Sequence, residues 1–312
     1  RIPGESIITK RGYFKPIENG VDVEGFIVSD FTKTNIFQFI EGDAEVGFHY
    51  KSDFPVEIDK EEYVEIAQKL ISEIKDTTVD KVVLSRVKPV SFEEGKSIDL
   101  FELLCKNYPN AFCYLISSPD FGTWIGASPE ILLQTNTDIG KVIALAGTLD
   151  KESGVWLQKE IDEHEFVADY VQSKLEKHDI LEIERSDRYT VEAGPVKHFR
   201  TDFSFDAPED SLAVAMSMHP TPAICGVPTE QAMQSIQRLE RHQRDLYTGF
   251  LGVADKKCTN LFVNLRCAQI TEGKAHLYLG GGFTKDSDPE KEWLETENKA
   301  ATLYNQIKKL GK

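Results

Sequence analysis

Cysteine is scarce in this sequence and nowhere arranged for chemistry. The five thiols, Cys105, Cys113, Cys225, Cys258 and Cys267, form no CxxC pair and are odd in number. Buried reduced thiols in a cytoplasmic protein are therefore expected, not a disulfide framework. The seven histidines form no HxxxH or HxH pair, so a zinc centre is not expected. No apolar run approaches the ~20 residues that cross a bilayer. The opening RIPGESIITK lacks the basic-then-apolar pattern of a secretory leader. It also lacks an initiator methionine, so residues are expected to precede Arg1 in the native protein. Positive charge is in deficit, with 36 Lys and Arg against 52 Asp and Glu and a net charge of −16. Nucleic acid is thus not the expected partner, because phosphate binding needs a basic face. An anionic ligand would have to be held by local cations, oriented amides or a metal. Internal repeats, low-complexity tracts and long linkers are absent as well.

What is present is an ordinary apolar and charged balance over 312 residues, enough for a sizeable core. Residues 59–75 predict an amphipathic helix, with Asp59 as N-cap and Tyr63, Ile66, Leu70 and Ile74 at helical spacing. Strands are expected at 81–90, 111–118, 123–128, 130–135, 141–147, 260–270 and 275–281. Helices are expected over 157–177, from Thr229 to about Leu246, and from Asp288 onward. Elements of one kind cluster instead of alternating. That predicts an α+β fold with large antiparallel sheets flanked by helices. Residues 1–56 read as a strand-rich part of the same body, and 57–310 as its core, within a single domain 1–312.

Two acidic helices carry the chemical interest. In 159–176, Phe166, Val167, Tyr170 and Val171 define an inward face, and Glu163 and Glu160 continue it toward the N-terminus. An inward carboxylate must be paired, protonated or metal-bound, and a structural ion pair is the plainer outcome. In the last helix, Asp288 can cap, Pro289 suits the first turn, and Trp293, Ala300, Tyr304 and Ile307 form one stripe. Glu297 lies near that stripe, Glu292 on its flank, and Glu295 nearly opposite. Periodicity alone makes Glu295 a solvated partner of Lys299. Carboxylates from two helices would suit Mg²⁺, a hard ion that takes oxygen ligands.

Elsewhere, Lys81 opens a β-branched strand, ordinarily an exposed end. Glu130 follows a turn into an apolar strand. Residues 219–228 form a stiff loop dense in Pro and Gly. Gly280, Gly281 and Gly282 end a strand, where open amides could hold an anion or merely turn the chain. Arg266 lies in an apolar strand, where an arginine seldom stands without a carboxylate or phosphate to hold.

The ordered set KVVLSR (81–86), WIGASPEILL (124–133), LAGT (145–148), DEHEFV (162–167), MHPTPAICGVP (218–228), VNLRCA (263–268), LYLGGG (277–282) and DPEKEWLETENKA (288–300) resembles the chorismate-utilising enzymes. The similarity covers roughly residues 57–310. It implies a fold with the active site between two halves. Within the family, Lys81 stands where amine-adding members have Gln. Ala146 stands where aminodeoxychorismate synthases carry Lys, and HPTPAICGVPT looks like the isochorismate synthases, with Ile224 where those have Leu. The resemblance therefore implies Mg²⁺-dependent isomerisation of chorismate to isochorismate. Salicylate synthase and a catalytically silent chorismate-binding protein are the alternatives.

The same resemblance assigns roles. Lys81 would be the general base and Glu130 the general acid. Glu163 and Glu295 would bind Mg²⁺, with Glu292 and Glu160 as further candidates; this picks Glu295 over the Glu297 that the helical stripe favours. Arg266, Tyr278 and the amides of Gly281 and Gly282 would hold the enolpyruvyl carboxylate. Gly147, Thr148, His219, Ala223 and Ile224 would shape the pocket. No glutaminase subunit and no membrane are expected, and the protein would be a monomer or weak homodimer.

Overall fold

The computed structural model describes residues 1–17, 23–44, 47–150, 155–180, 182–193 and 196–311. In chain order the elements are β1 (Gly12–Pro16), β2 (Gly25–Ser29), β3 (Ile36–Glu41), α1 (Lys60–Asp76), β4 (Lys81–Ser91), α2 (Ser97–Asn107), β5 (Phe112–Ser118), β6 (Gly122–Ser128), β7 (Ile131–Thr135), β8 (Ile139–Asp150) and α3 (Gln158–Glu176). They continue with β9 (Glu184–Arg185), β10 (Tyr189–Ala193), β11 (Val196–Asp206), α4 (Ser211–Met218), β12 (Gly226–Val227), α5 (Thr229–Leu239), β13 (Phe250–Ala254), β14 (Thr259–Val263), β15 (Cys267–Thr271), β16 (Lys274–Phe283) and α6 (Pro289–Leu310). Among the described residues no helix is long and apolar enough to cross a membrane.

The strands form two antiparallel sheets. The larger runs β1-β3-β2-β13-β14-β7-β8-β11-β10, with β9 also on β11; the smaller runs β12-β4-β16-β15-β6-β5. Side chains alternate across each strand, so each sheet has two different faces to bury. Val28, Leu251 and Phe262 of the larger sheet meet Phe112, Tyr114, Trp124 and Tyr278 of the smaller one. On the larger sheet's other face, Ile27, Val142, Leu261 and Val263 pack against α3 and α4. On the smaller sheet's other face, Val82, Leu84 and Phe283 meet α1 and α5, and Leu277 and Leu279 meet α2 and α6. The molecule is thus an α+β sandwich, helices outside and two sheets face to face within.

Three expectations needed correction. The strand predicted over 260–270 is two strands in different sheets. Residues 264–266 cross between them, pinned by the buried Asn264 side chain, which accepts from the Tyr114 hydroxyl (2.6 Å) and donates to the Leu246 carbonyl (2.8 Å). Arg266 therefore lies in no strand but in the left-handed region, at φ 50°. The helix from Thr229 stops at Leu239, not near Leu246. Glu240 turns extended there and sends its carboxylate inward to the Ser85 amide (2.7 Å) and to Arg244 (2.6 Å). Phe166 is 52% exposed; the stripe facing β8 is Val167, Ala168, Val171 and Leu175. The sequence reading also missed α2, which buries Leu100, Leu104 and Cys105.

Glu240 and Arg244 are both about 3% exposed, and Arg244 also donates to the Ile224 and Val83 carbonyls. The pair ties the turn after α5 to β4 and to the 219–228 loop. Replacing Glu240 with Ala leaves a buried guanidinium unpaired. We expect the unfolding free energy from urea titration to fall by about 3–5 kcal/mol.

Candidate active site

The site grows out of the pairing between β4 and β16. Val83 gives its amide to the Cys225 carbonyl of the β12 side (2.8 Å), so the alternate residues Val82 and Leu84 turn theirs toward β16. Gly281 is the register partner of Leu84, and its amide belongs to the ladder. Gly280 and Gly282 turn theirs away, beyond the end of β15, whose pairing with β16 stops at Ala268 and Leu277. This corrects the expectation that the amide of Gly281 is open to a ligand; Gly282 keeps that possibility, and Gly280 acquires it.

The same alternation sorts the side chains. Lys81 lies on the face of Gly282, and a Cβ there would stand 2.9 Å from Lys81 Cε. A Cβ on Gly280 would stand 2.7 Å from the Tyr247 hydroxyl. Glycine at both positions lets an ammonium and a phenol lie flat on the strand. Tyr278 shares that face one step further in. It is wedged among Trp124, Tyr247 and His242, and its hydroxyl is buried without a hydrogen-bond partner among the described residues.

Glu130 reaches the same cleft from the start of β7. The backbone there is fixed by the Val263 amide on the Glu130 carbonyl (3.0 Å). Burial pushes its carboxyl up to about 7, against the pull of Lys81, Lys299 and Arg266. The Arg266 guanidinium makes no hydrogen bond or ion pair among the described residues. It feels Tyr247, Glu295 and Glu130, and burial holds it below its ordinary value. An arginine so placed has donors to spare for an anion.

The two acidic helices flank this cleft. Lys81 Nζ donates to Glu163 Oε1 on α3 at 2.9 Å. Lys299 Nζ donates to the Gly280 carbonyl (2.8 Å) and pairs with Glu295 Oε1 (2.6 Å) on α6. Glu292 Oε2 is buried without a hydrogen-bond partner among the described residues, and burial and the charge of Glu295 push that carboxyl up to about 7. Glu297, favoured by periodicity, is taken by Arg86 and Lys88. Glu160 accepts the Leu157 amide (3.0 Å) and so caps its own helix.

The remaining pocket candidates divide. Gly147 has φ 71°, and a Cβ there would stand 3.0 Å from the Glu160 carbonyl, so only glycine lets α3 start this close to β8. The side chain of Thr148 lies outside the described residues. His219 is buried, donates from Nε2 to the Phe31 carbonyl (2.9 Å), and is held neutral by burial, which pulls it down to about 3. Ile224 is buried in the cluster around α3 and α4, while Ala223 is half-buried.

Three residues of the site were not singled out from the sequence. Tyr247 and Lys299 meet at Gly280, as above. His198 places Nδ1 3.2 Å from the Gly147 carbonyl and feels Glu163, Glu295 and Lys299. Only Lys299 had a signal, its i,i+4 spacing from Glu295.

A hard divalent cation suits the donor set. Glu163, Glu292 and Glu295 offer carboxylate oxygens, one of them buried with no hydrogen-bond donor among the described residues. Among the described residues, no three His, Cys, Asp or Glu side chains already stand close enough to grip an ion.

Comparison with known proteins gives the family and the fold. The family model described as chorismate binding enzyme matches residues 44–308. Isochorismate synthase EntC of Escherichia coli K12 is 34% identical over 251 residues, covering 73% of this chain and 62% of EntC. Anthranilate synthase component 1 of Mycolicibacterium smegmatis is 28% identical over 271 residues, covering 79% and 51%. The structure of MenF, the menaquinone-specific isochorismate synthase of Escherichia coli, matches with a TM-score of 0.76 at 20% identity, over 92% of this chain and 79% of its own. The chain spans about three-fifths of the length of the curated relatives it matches first.

The raised carboxyl of Glu130 costs stability as it ionises. Its folded value is about 7 against 4.5 unfolded, so stability is lost as pH rises through that window and stays lost above it. Glu130→Gln removes the charge. We expect the variant to melt like the parent near pH 4 and above it at pH 8.

Proposed function

The chain belongs to the family of chorismate binding enzymes, and we propose that it isomerises chorismate to isochorismate. The observation that carries this reading is the presence in one cleft of a carboxyl held near pH 7 and a primary amine, Glu130 and Lys81. Adding water at C2 of the ring and expelling the 4-hydroxyl needs one group to take a proton and another to give one. Hydroxide leaves at neutral pH only if it is protonated as it departs.

Lys81 would take the proton of the attacking water, and Glu130 would give its proton to the leaving hydroxyl. Solvent then returns the proton from one to the other, so the overall change is an isomerisation. Arg266 and Tyr247, with the open amides of Gly280 and Gly282, would hold a carboxylate of the substrate and orient the ring. Glu163 and Glu295, helped by Glu292, would hold Mg²⁺. When bound, that ion would neutralise the other carboxylate and withdraw electron density as the ring double bonds move. The names of EntC and MenF support this assignment, and the absence of Gln at position 81 disfavours ammonia addition.

The test is product identity. Purified protein is incubated with chorismate and Mg²⁺, with and without EDTA, and the products are separated with mass detection. A new species of unchanged mass that disappears with EDTA supports the reading. Salicylate with pyruvate would move the protein to the lyase branch, and anthranilate formed with ammonia would overturn the choice of Lys81 as base. Lys81→Ala should lower kcat by about 10²–10⁴-fold, the span of a lost general base, while chorismate binding persists. In the parent, kcat/KM should fall above pH about 7, where Glu130 loses the proton it must donate.

A further inference from the structure

We propose that Lys81 and Lys299 are internal counter-ions that occupy the metal-binding carboxylates until a divalent cation displaces them, so that metal binding is what frees both lysines for the substrate. The inference rests on the reading of Glu163 and Glu295 as metal ligands and adds what holds them beforehand.

Three observations converge. Each carboxylate is held by a different ammonium, Glu163 by Lys81 at 2.9 Å and Glu295 by Lys299 at 2.6 Å. The Lys81 pair joins the first residue of β4 to α3, 82 residues away in sequence, so local helix spacing does not account for it. Second, no three potential ligands converge among the described residues. The acids are turned onto lysines instead of onto a common point. Third, Glu292 Oε2 is buried near them with no hydrogen-bond partner among the described residues, as an oxygen would be where a cation is still to come.

Charge counting gives the consequence. With Glu292 near half-protonated at neutral pH, Glu163, Glu292 and Glu295 carry between two and three negative charges against two positive ones on Lys81 and Lys299. A divalent cation turns this slight excess of negative charge into an excess of positive charge. Lys81 then loses the carboxylate that favours its protonated form, and the Lys299 ammonium is left for an anionic substrate. The same ion that anchors the ligand would release the amine that acts on it. Metal and substrate would therefore bind cooperatively, each strengthening the other.

The test measures Mg²⁺ binding by calorimetry without substrate, for the parent, Lys81→Met and Glu163→Gln. Methionine keeps the side-chain stem and removes the charge. Lys81→Met should bind Mg²⁺ about three- to fivefold more tightly, the size of a partly exposed ion pair no longer to be broken. Glu163→Gln should bind it more weakly. If Lys81→Met binds equally or less well while Glu163→Gln weakens binding, the metal site stands and the counter-ion role falls. If Glu163→Gln binds as the parent does, the assignment of the ligand itself falls. A second measurement needs no variant. Acetic anhydride labelling of the parent, read by mass spectrometry, should rise at Lys81 when Mg²⁺ is added, relative to Lys257 on the β13–β14 turn. Unchanged labelling would count against release.

Discussion

The antiparallel pairing of β4 with β16 is the constraint on which the site depends. Ten register pairs, from Lys274 with Ser91 to Phe283 with Val82, fix which residue faces which way. One parity sends Val82, Leu84, Leu277, Leu279 and Phe283 into the helical layer. The other sends Lys81, Tyr278 and the bare backbone of Gly280 and Gly282 toward the facing sheet. A slip of one residue would exchange the two sets, burying the ammonium of Lys81 under α1 and α6 and turning Leu84 into the cleft. The apolar core on the helical side therefore enforces the chemistry on the other. Because β15 stops pairing at Leu277, the last part of β16 is an edge, and its outward amides and carbonyls must be satisfied by something else. Lys299 satisfies one of them, the carbonyl of Gly280.

Electrostatics works with that geometry in an acidic chain. A net charge of −16 repels a dianion at long range, so attraction must be local. Lys81, Lys299 and Arg266 all bear on Glu130. Three cations should make a carboxyl a strong acid. Burial outweighs them and leaves it near neutrality, which is where a proton donor is useful. Glu297 follows the opposite course. Against burial, which raises it, Lys88 and Arg86 hold it below its ordinary value, and Arg86 stacks on Trp293 at 3.7 Å. That carboxylate is committed to fixing the helix, which leaves Glu295, two residues earlier, to point into the cleft. The helical stripe was a sound guide to which acid is packed and a poor guide to which acid is available.

This contrast shows what the sequence could disclose. Periodicity found α1 with its Asp59 cap, α3, α6 with its Asp288 cap, and eight of the sixteen described strands, because each buries a continuous face; it did not find β9 to β13. It could not find the crossover at 264–266, since Asn264, Leu265 and Arg266 break an apolar run without any Gly or Pro. Only the hydrogen bonds of Asn264 to distant segments show that the chain changes sheets there. The same limit hid Tyr247 and His198, which come from a turn and a strand far apart in sequence and acquire meaning only once β8, β11 and β16 are assembled. Arg266 was noticed for a valid reason, an arginine among apolar neighbours, but placed in a strand it does not occupy. Spacing set Glu292 on the flank of the stripe and Glu295 nearly opposite, but it could not show that Glu292 rests against the Gly281 backbone.

The 219–228 loop shows how distant parts of the chain hold the cleft in shape. A loop rich in proline has few amides to give, so its carbonyls need donors from elsewhere. Lys33, in the turn between β2 and β3, donates to the Met216 and His219 carbonyls at 3.0 and 2.6 Å. The Tyr170 hydroxyl, from α3, reaches the Met218 and Pro220 carbonyls. Arg244 takes the Ile224 carbonyl, and the Val83 amide takes that of Cys225. The loop is thus gripped from the N-terminal strands, from the helix that carries Glu163, from the turn after α5 and from the strand that carries Lys81. Its final residues pair directly with Lys81 and Val82. The N-terminal strands, which supply none of the predicted site residues, therefore act on the site through backbone carbonyls. A shift of the β2–β3 turn would reach Lys81 through a chain of hydrogen bonds that neither apolar patterning nor motif spacing can express.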